Sequence, residues 1–181
     1  MPGITQVRWC GFGGQGVVLA GLLLGQAGVL QGRYVAGSNS YGAQARGSGC
    51  KSEVVFSDGP IDFPHLTTAD ILVTMSQAAY DQYCTDVVPG GLIVYDAPHV
   101  TPRKGPDARQ VGIPATDAAL NKLRNKQAAN IVLLGALVEM TSLVSPSAVE
   151  RAIGQHGGGR FLKPNLEAFN TGREMGRQVH G

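Results

Sequence analysis

Apolar and polar residues fall in blocks along this chain: short apolar runs that end at glycine or small polar residues, each followed by a stretch with helical spacing. Residues 4–10, Ile-Thr-Gln-Val-Arg-Trp-Cys, predict a first strand, and residues 15–30, apolar apart from glycines and two glutamines, predict a first helix. A second strand is expected over 33–39 and a third over 51–57, where Lys51-Ser52-Glu53-Val54-Val55-Phe56-Ser57 is closed by the turn residues Asp58-Gly59-Pro60. Residues 69–75 form a continuous apolar run expected of a strand buried on both faces, and Ser76 behind it suits the N-cap of a helix over 77–85. A turn at Pro89-Gly90-Gly91 leads to another buried strand over 92–96, ending on Asp96; 108–114 alternates like a more exposed last strand, and 116–126 reads as a polar helix. Residues 128–144 are apolar nearly all round, which predicts a central helix packed between layers. Pro146 after Ser145 starts a further helix that stops at Gly157-Gly158-Gly159, and Lys163-Pro164-Asn165 opens a final one to about residue 177.

Strands and helices in this alternation predict a three-layer α/β/α, Rossmann-like fold with a mostly parallel sheet and its ligand edge at the carboxyl ends of the strands. The chain has 181 residues, 43% of them hydrophobic, enough for one core, and shows no repeat, linker or low-complexity segment, so residues 1–181 are expected to form a single domain. A net charge of +2 without any Lys/Arg-rich run does not suit nucleic acid, and no apolar run reaches the ~18 residues of a membrane span. With no signal-peptide pattern at its start, the chain is expected to be soluble and cytoplasmic. Cys10, Cys50 and Cys84 are too widely spaced for a disulfide framework or a cluster-binding set, and Cys50, beside Lys51, is expected to be the more reactive thiol. His65, His99, His156 and His180 show no metal-ligand spacing and read as surface or capping residues.

The chemistry concentrates between the first strand and the first helix. Gly11, Gly13 and Gly16 there satisfy G-x-G-x-x-G in the context that the motif needs. Bare backbone N–H groups at the positive end of a helix suit a phosphate, although the same glycines also let a helix pack close to a strand. An NAD site would carry Asp or Glu at the end of the second strand. Here no acidic residue precedes Glu53, while Arg8, Arg33, Arg46 and Lys51 give the first 52 residues a charge of +4. The fold gathers Gly13, Gly14, Gln15, Gly16, the segment from Ser38 to Arg46, Ser76-Gln77 and Asp96 at one edge of the sheet. Arg46 suits a phosphate or carboxylate, Tyr41 stacking, and Ser40, Ser76 and Gln77 hydrogen bonds to polar ligand atoms. Each also has a structural use: Arg46 as partner of Asp58 or Glu53, Ser76 as a helix cap, Asp96 as the end of a strand. No nucleophile with a base, no H-E-x-x-H and no P-loop is present.

Taken in order, Gly11-Phe12-Gly13-Gly14-Gln15-Gly16-Val17, Ser40-Tyr41-Gly42 with Ala45-Arg46-Gly47, Met75-Ser76-Gln77-Ala78-Ala79-Tyr80 and Pro89-Gly90-Gly91-Leu92-Ile93-Val94-Tyr95-Asp96 resemble the gamma subunit of the 2-oxoacid:ferredoxin oxidoreductases, most closely the 2-oxoglutarate type. The likeness spans nearly the whole chain and extends to Asn130, Gly135-Ala136 and Lys163-Pro164-Asn165. It implies a subunit of an enzyme that oxidatively decarboxylates a 2-oxoacid such as 2-oxoglutarate or pyruvate with coenzyme A, giving an acyl-CoA and carbon dioxide. It also implies alpha and beta subunits carrying thiamine diphosphate, iron–sulfur clusters in other subunits including a ferredoxin-like one, and ferredoxin as electron acceptor. Gly13, Gly14, Gln15 and Gly16 match the family's glycine turn, and Ser40, Tyr41, Arg46 and Gly47 its second-loop motif, on the side of the enzyme associated with coenzyme A and with holding subunits together. The family's proline and glutamate before the arginine, and its second glycine after it, are here Ala43, Gln44 and Ser48. The alternatives are a stand-alone nucleotide-binding sensor or regulator and an NAD-dependent dehydrogenase. A subunit expressed without partners is expected to expose an apolar patch and self-associate, a homodimer being the simplest form.

Overall fold

The apolar runs become six strands: β1 (Ile4–Phe12), β2 (Tyr34–Tyr41), β3 (Gly49–Ser57), β4 (Ala69–Thr74), β5 (Val87–Asp96) and β6 (Ala108–Ile113). The computed structural model describes residues 3–42, 49–63, 65–156 and 159–179. The strands form one sheet in the order β2-β3-β1-β4-β5-β6. β3 runs antiparallel to both of its neighbours, and the pairs from β1 through β4 and β5 to β6 are parallel, so five strands share one direction. β2 ends at Tyr41 and β3 begins at Gly49, and a connection that short can join only antiparallel neighbours. Gly42 N–H donates to the carbonyl of Gly49 at 2.8 Å, drawing the two strand ends together.

The helices are α1 (Val17–Leu30), α2 (Gln77–Tyr83), α3 (Ala115–Asp117, running on into a π-helical segment, Ala118–Lys122), α4 (Ala129–Thr141), α5 (Pro146–His156) and α6 (Leu162–Gln178). They make three layers of unequal thickness. On one face, Val7, Trp9, Val54, Phe56, Ile71 and Val73 join α1, α4, α5 and α6 in the main core. On the other, α2 lays Ala79 and Tyr80 on Cys10, Leu72 and Ile93, and a smaller cluster forms around Val55, Leu66 and Ala69. None of the helices among the described residues is long and apolar enough to cross a membrane.

α4 is buried from Ala129 through Val138, as its lack of a polar face requires. It packs on α6 backbone to backbone: a Cβ on Gly135 would strike the carbonyl oxygen of Phe169, and one on Gly172 that of Val132. Glu139 closes the same contact by accepting from Arg173 and Arg177 at 2.8 Å each.

The thinner face carries an ion network within the sheet. Arg8 and Glu53 stand opposite each other on β1 and β3 and are both buried. Arg8 Nε meets Glu53 Oε1 at 2.9 Å, and Lys51 Nζ reaches the same oxygen at 3.0 Å. Arg8 also pairs with Asp86 at 3.3 Å and lies over the Tyr83 ring. Burial works against the Glu53 charge, but hydrogen bonds from Lys51 and Arg8 outweigh it and hold the carboxyl below its ordinary value of 4.5.

Two segments differ from the sequence pattern. Pro89-Gly90-Gly91 lies inside β5, with Gly90 at φ +74°, and the pairing with β4 shifts register between Ala69 and Ile71. The polar helix expected over 116–126 breaks after the π-helical segment, where Arg124 adopts φ +52° and Asn125 Oδ1 accepts from Gln127 N–H, a local bond that competes with helix propagation.

Replacing Gly172 or Gly135 by alanine forces α4 and α6 apart and is expected to cost about 3 kcal/mol in urea unfolding. Gly154→Ala in α5, where the added methyl meets nothing, should gain roughly 0.5–1 kcal/mol instead. Equal effects at the three positions would refute the close approach. Because Glu53 binds its proton at lower pH folded than unfolded, its contribution is present above the unfolded glutamate value and is lost as pH falls through the folded one. Unfolding free energies measured from pH 7 down to pH ~3 should therefore decline less steeply in Glu53→Gln than in the parent; parallel curves would remove Glu53 from the acid response.

Candidate functional site

β1, β2, β4, β5 and β6 end at one edge of the sheet, and reversed β3 begins there. The glycine turn follows β1. Gln15 N–H donates to the Phe12 carbonyl at 3.1 Å. Its side-chain Oε1 accepts from Phe12 N–H at 2.6 Å, and its Nε2 donates to the Met75 carbonyl at 3.0 Å, so one amide stitches the ends of β1 and β4 together. Gly14 and Gly16 adopt φ +97° and +74°, as the turn requires. Gly16 is the N-cap of α1; no side chain caps that helix and no acidic residue stands in its first turn. A Cβ on Gly16 would run into the side-chain amide of Asn130, whose Nδ2 donates to the Gly16 carbonyl at 3.0 Å.

Three hollows line this edge, and Phe12 borders all of them. A cleft of about 280 Å³ lies among Phe12, Ser40, Tyr41, Lys51 and Tyr83. The second, about 500 Å³, has Gln15, Ser76, Gln77, Asp81 and His99 on its walls. The third, about 470 Å³, lies among Gly14, Gln15, His99, Thr116, Lys126 and Gln127. The edge therefore forms one trough with several compartments.

Of the residues expected from the sequence, Gly14, Gln15, Ser40, Tyr41, Ser76 and Gln77 line this trough. Gly13, Gly14, Gln15 and Gly16 form the β1–α1 turn, and Ser40 and Tyr41 end β2 in exposed positions. Ser76 caps α2, its Oγ accepting from Ala79 N–H at 3.3 Å. Gln77 is tied by its side chain to the Thr101 backbone and to Asp81. Arg46 and Gly47, with the rest of residues 43–48, lie outside the described residues.

His99, expected from the sequence to be a surface or capping residue, is partly exposed and has a buried partner. Its Nδ1 lies 3.0 Å from Oδ2 of Asp96, which is fully buried at the end of β5. Thr116 N–H donates to Asp96 Oδ1 at 3.1 Å, and Thr116 Oγ1 to Oδ2. The signal in the chain was an acid closing a buried strand with a histidine three positions on, across one tight turn and within reach. The thiols are quiet: burial pushes Cys10 up to about 12 and raises Cys50 as well, and the neighbouring Lys51 spends its charge on Glu53. Both features run against the reactivity expected of Cys50. Among the described residues no group of three or more His, Cys, Asp or Glu side chains is placed to hold a metal.

The profile of the pyruvate ferredoxin/flavodoxin oxidoreductase family matches residues 6–175. A protein of Methanocaldococcus jannaschii, the 2-oxoglutarate synthase subunit KorC, is 42% identical over 177 residues, covering 96% of this chain and 95% of that protein. The crystal structure of a keto/oxoacid ferredoxin oxidoreductase gamma subunit from Geobacter sulfurreducens superposes with a TM-score of 0.86 at 34% identity, over 96% of this chain and 99% of the other. The same fold, with a TM-score of 0.87 at 24% identity, makes up 31% of a chain of the 2-oxoglutarate:ferredoxin oxidoreductase of Magnetococcus marinus, solved with 2-oxoglutarate, coenzyme A and succinyl-CoA bound; it covers 97% of this chain. Fold, length and sequence agree from the first strand to the last helix, and the chain belongs to the pyruvate ferredoxin/flavodoxin oxidoreductase family.

Proposed function

We infer that this chain is the gamma subunit of a multi-subunit 2-oxoglutarate:ferredoxin oxidoreductase. The observation that carries this reading is the near full-length identity with a 2-oxoglutarate synthase subunit. In the reaction, 2-oxoglutarate loses its carboxyl group as carbon dioxide, the remaining acyl group is joined to the thiol of coenzyme A as succinyl-CoA, and the electron pair released passes to ferredoxin. Thiamine diphosphate, in the alpha and beta subunits, supplies the electron sink for decarboxylation, and iron–sulfur clusters in the partner subunits carry the electrons.

This chain's part is to bind on the coenzyme A side and to help hold the subunits together. The open glycine turn at Gly13, Gly14, Gln15 and Gly16 favours an anion. Ser40, Tyr41, Ser76 and Gln77 line adjoining walls of the trough, and Arg46 and Gly47 follow Tyr41 in the chain. The outer side of α1 supports a role within an assembly. That helix has no charged residue, leaves Leu22 and Val29 about half exposed, and borders an apolar groove of about 490 Å³ against β2 and β3.

Tagged and pulled from its native cell, the chain should bring partner subunits with it, and the eluate should reduce a low-potential dye only when both 2-oxoglutarate and coenzyme A are present. Recovery of the chain alone, without such activity, would leave a stand-alone nucleotide-binding regulator as the better reading. In the assembled enzyme, Arg46→Ala should raise the apparent KM for coenzyme A roughly tenfold, the worth of one charge-assisted hydrogen bond. Loss of assembly with an unchanged KM would move that arginine to a subunit interface.

A further inference from the structure

We propose that the free edge of β2 pairs with β2 of a second copy of this chain, antiparallel about a twofold axis at Gly37, so that two six-stranded sheets run on into one and the apolar groove beside α1 closes between the copies. Nothing in this pairing depends on the function inferred above.

β2 begins the sheet order, and among the described residues it pairs with β3 only. One bond fixes which of its groups face outward. Gly42 N–H donates to the carbonyl of Gly49, so that pair turns its main chain inward, and inward and outward pairs alternate along an antiparallel ladder. The even positions of β2 therefore face β3, and Val35, Gly37 and Asn39 turn their N–H and C=O groups to the open side. The same three residues floor the groove of about 490 Å³ beside α1. Unpaired main-chain groups next to an apolar groove call for an extended strand that brings both hydrogen bonds and apolar cover.

The devices that guard a sheet edge are missing from this one. β2 holds eight residues without a charge, a proline or a break in register. Arg33, just before it, is turned away to Asp58 and to the carbonyl of Leu143. β6, at the opposite edge, carries Arg109, which donates to the carbonyl of Val179.

A second copy is the occupant that fits. An axis at Gly37 sets Gly37 opposite itself and Val35 opposite Asn39 on either side, which gives about six main-chain hydrogen bonds. No like charges meet, since neither β2 nor α1 has a charged residue. Strands ~4.8 Å apart place the two copies of β3 ~14 Å apart. α1 rests on β3, with Gly21 and Gly25 against Ser52 and Val54, so the two copies of α1 stand at a similar separation, where helix packing takes about 8–10 Å. Leu22 and Val29, about half exposed on the groove side, are the side chains that fill the difference. A joint ~26 Å long, one sheet and one helix deep, covers on the order of 600 Å² of each copy, the lower end of a specific interface.

Sedimentation of the full-length chain from ~1 to ~100 μM should show a monomer passing into a dimer. Gly37→Lys sets like charges across the axis and should weaken the dimer at least roughly tenfold. A Cβ at Gly37 meets only the Glu53 carbonyl, at 3.7 Å, so the folded monomer accommodates the side chain, which thermal melts of the variant check. Gly37→Glu should act alike, and an equimolar mixture of the two variants should restore the dimer as a heterodimer. Leu22→Gln should weaken the dimer as well, whereas Leu120→Gln, at an exposed position on the π-helical segment, should not. A chain that stays monomeric overturns the pairing, as does a dimer that Gly37→Lys leaves intact or that the mixture fails to restore. In the protein drawn from its native cell, Gly37→Cys should crosslink two copies of the chain on oxidation, because the Cα atoms of such a pair stand ~5.5 Å apart. A crosslink to a different subunit, or none, overturns the second copy as occupant of this edge.

Discussion

A helix without a polar side has to be covered on every side, and α4 imposes that condition on everything around it. From Ala129 to Val138 each residue is buried. The sheet and α1 cover part of the helix, and α6 covers the rest only because Gly135 and Gly172 let two backbones approach to within the width of a side chain. The cover concentrates most helices on one face of the sheet and leaves the other to α2 and a few loop residues. It also fixes where α4 begins. Its first turn lies under the β1–α1 turn, where Asn130 holds Gly16 and so couples the central helix to the edge at which β1 ends.

The burial of Arg8 and Glu53 belongs to the same asymmetry. On a face with a thick helical layer these positions would have to be apolar. Under a thin one a charged pair is tolerated because Lys51, Asp86, Ser38 and the Tyr83 ring complete its surroundings. The pair joins β1 to the reversed strand β3 across the ladder that separates the glycine turn from the β2–β3 connection.

Strand and helix positions were legible because their signal is local: periodicity over residues 15–30 and 128–144, an unbroken apolar run over 69–75, a serine cap at Ser76. Strand direction was not legible from side-chain pattern, since Val54-Val55-Phe56 reads the same whichever way it runs; the informative feature was the short spacing between Tyr41 and Gly49, too short for a crossover. The glycine turn was also visible, because glycine adopts the positive φ found at positions 14 and 16 without the strain that a Cβ brings. The setting of His99 escaped notice because it depends on Asp96 and Thr116, and Thr116 is brought to Asp96 only when β5 and β6 lie side by side. The breaks at Gly90 and Arg124 likewise come from register and local hydrogen bonding, which residue type alone does not encode.

The amide of Gln15 has a consequence for the order in which the chain folds. The β2–β3 hairpin joins segments close in sequence and needs little loop closure, whereas Gln15 finds the Met75 carbonyl sixty positions away. The glycine turn therefore reaches its final shape after β4 has docked beside β1, late in folding. A nascent chain that stops before residue 75 carries every glycine of the motif and the local bonds between Gln15 and Phe12, but not the tie to Met75, so the turn is fixed in place only with the completed central sheet.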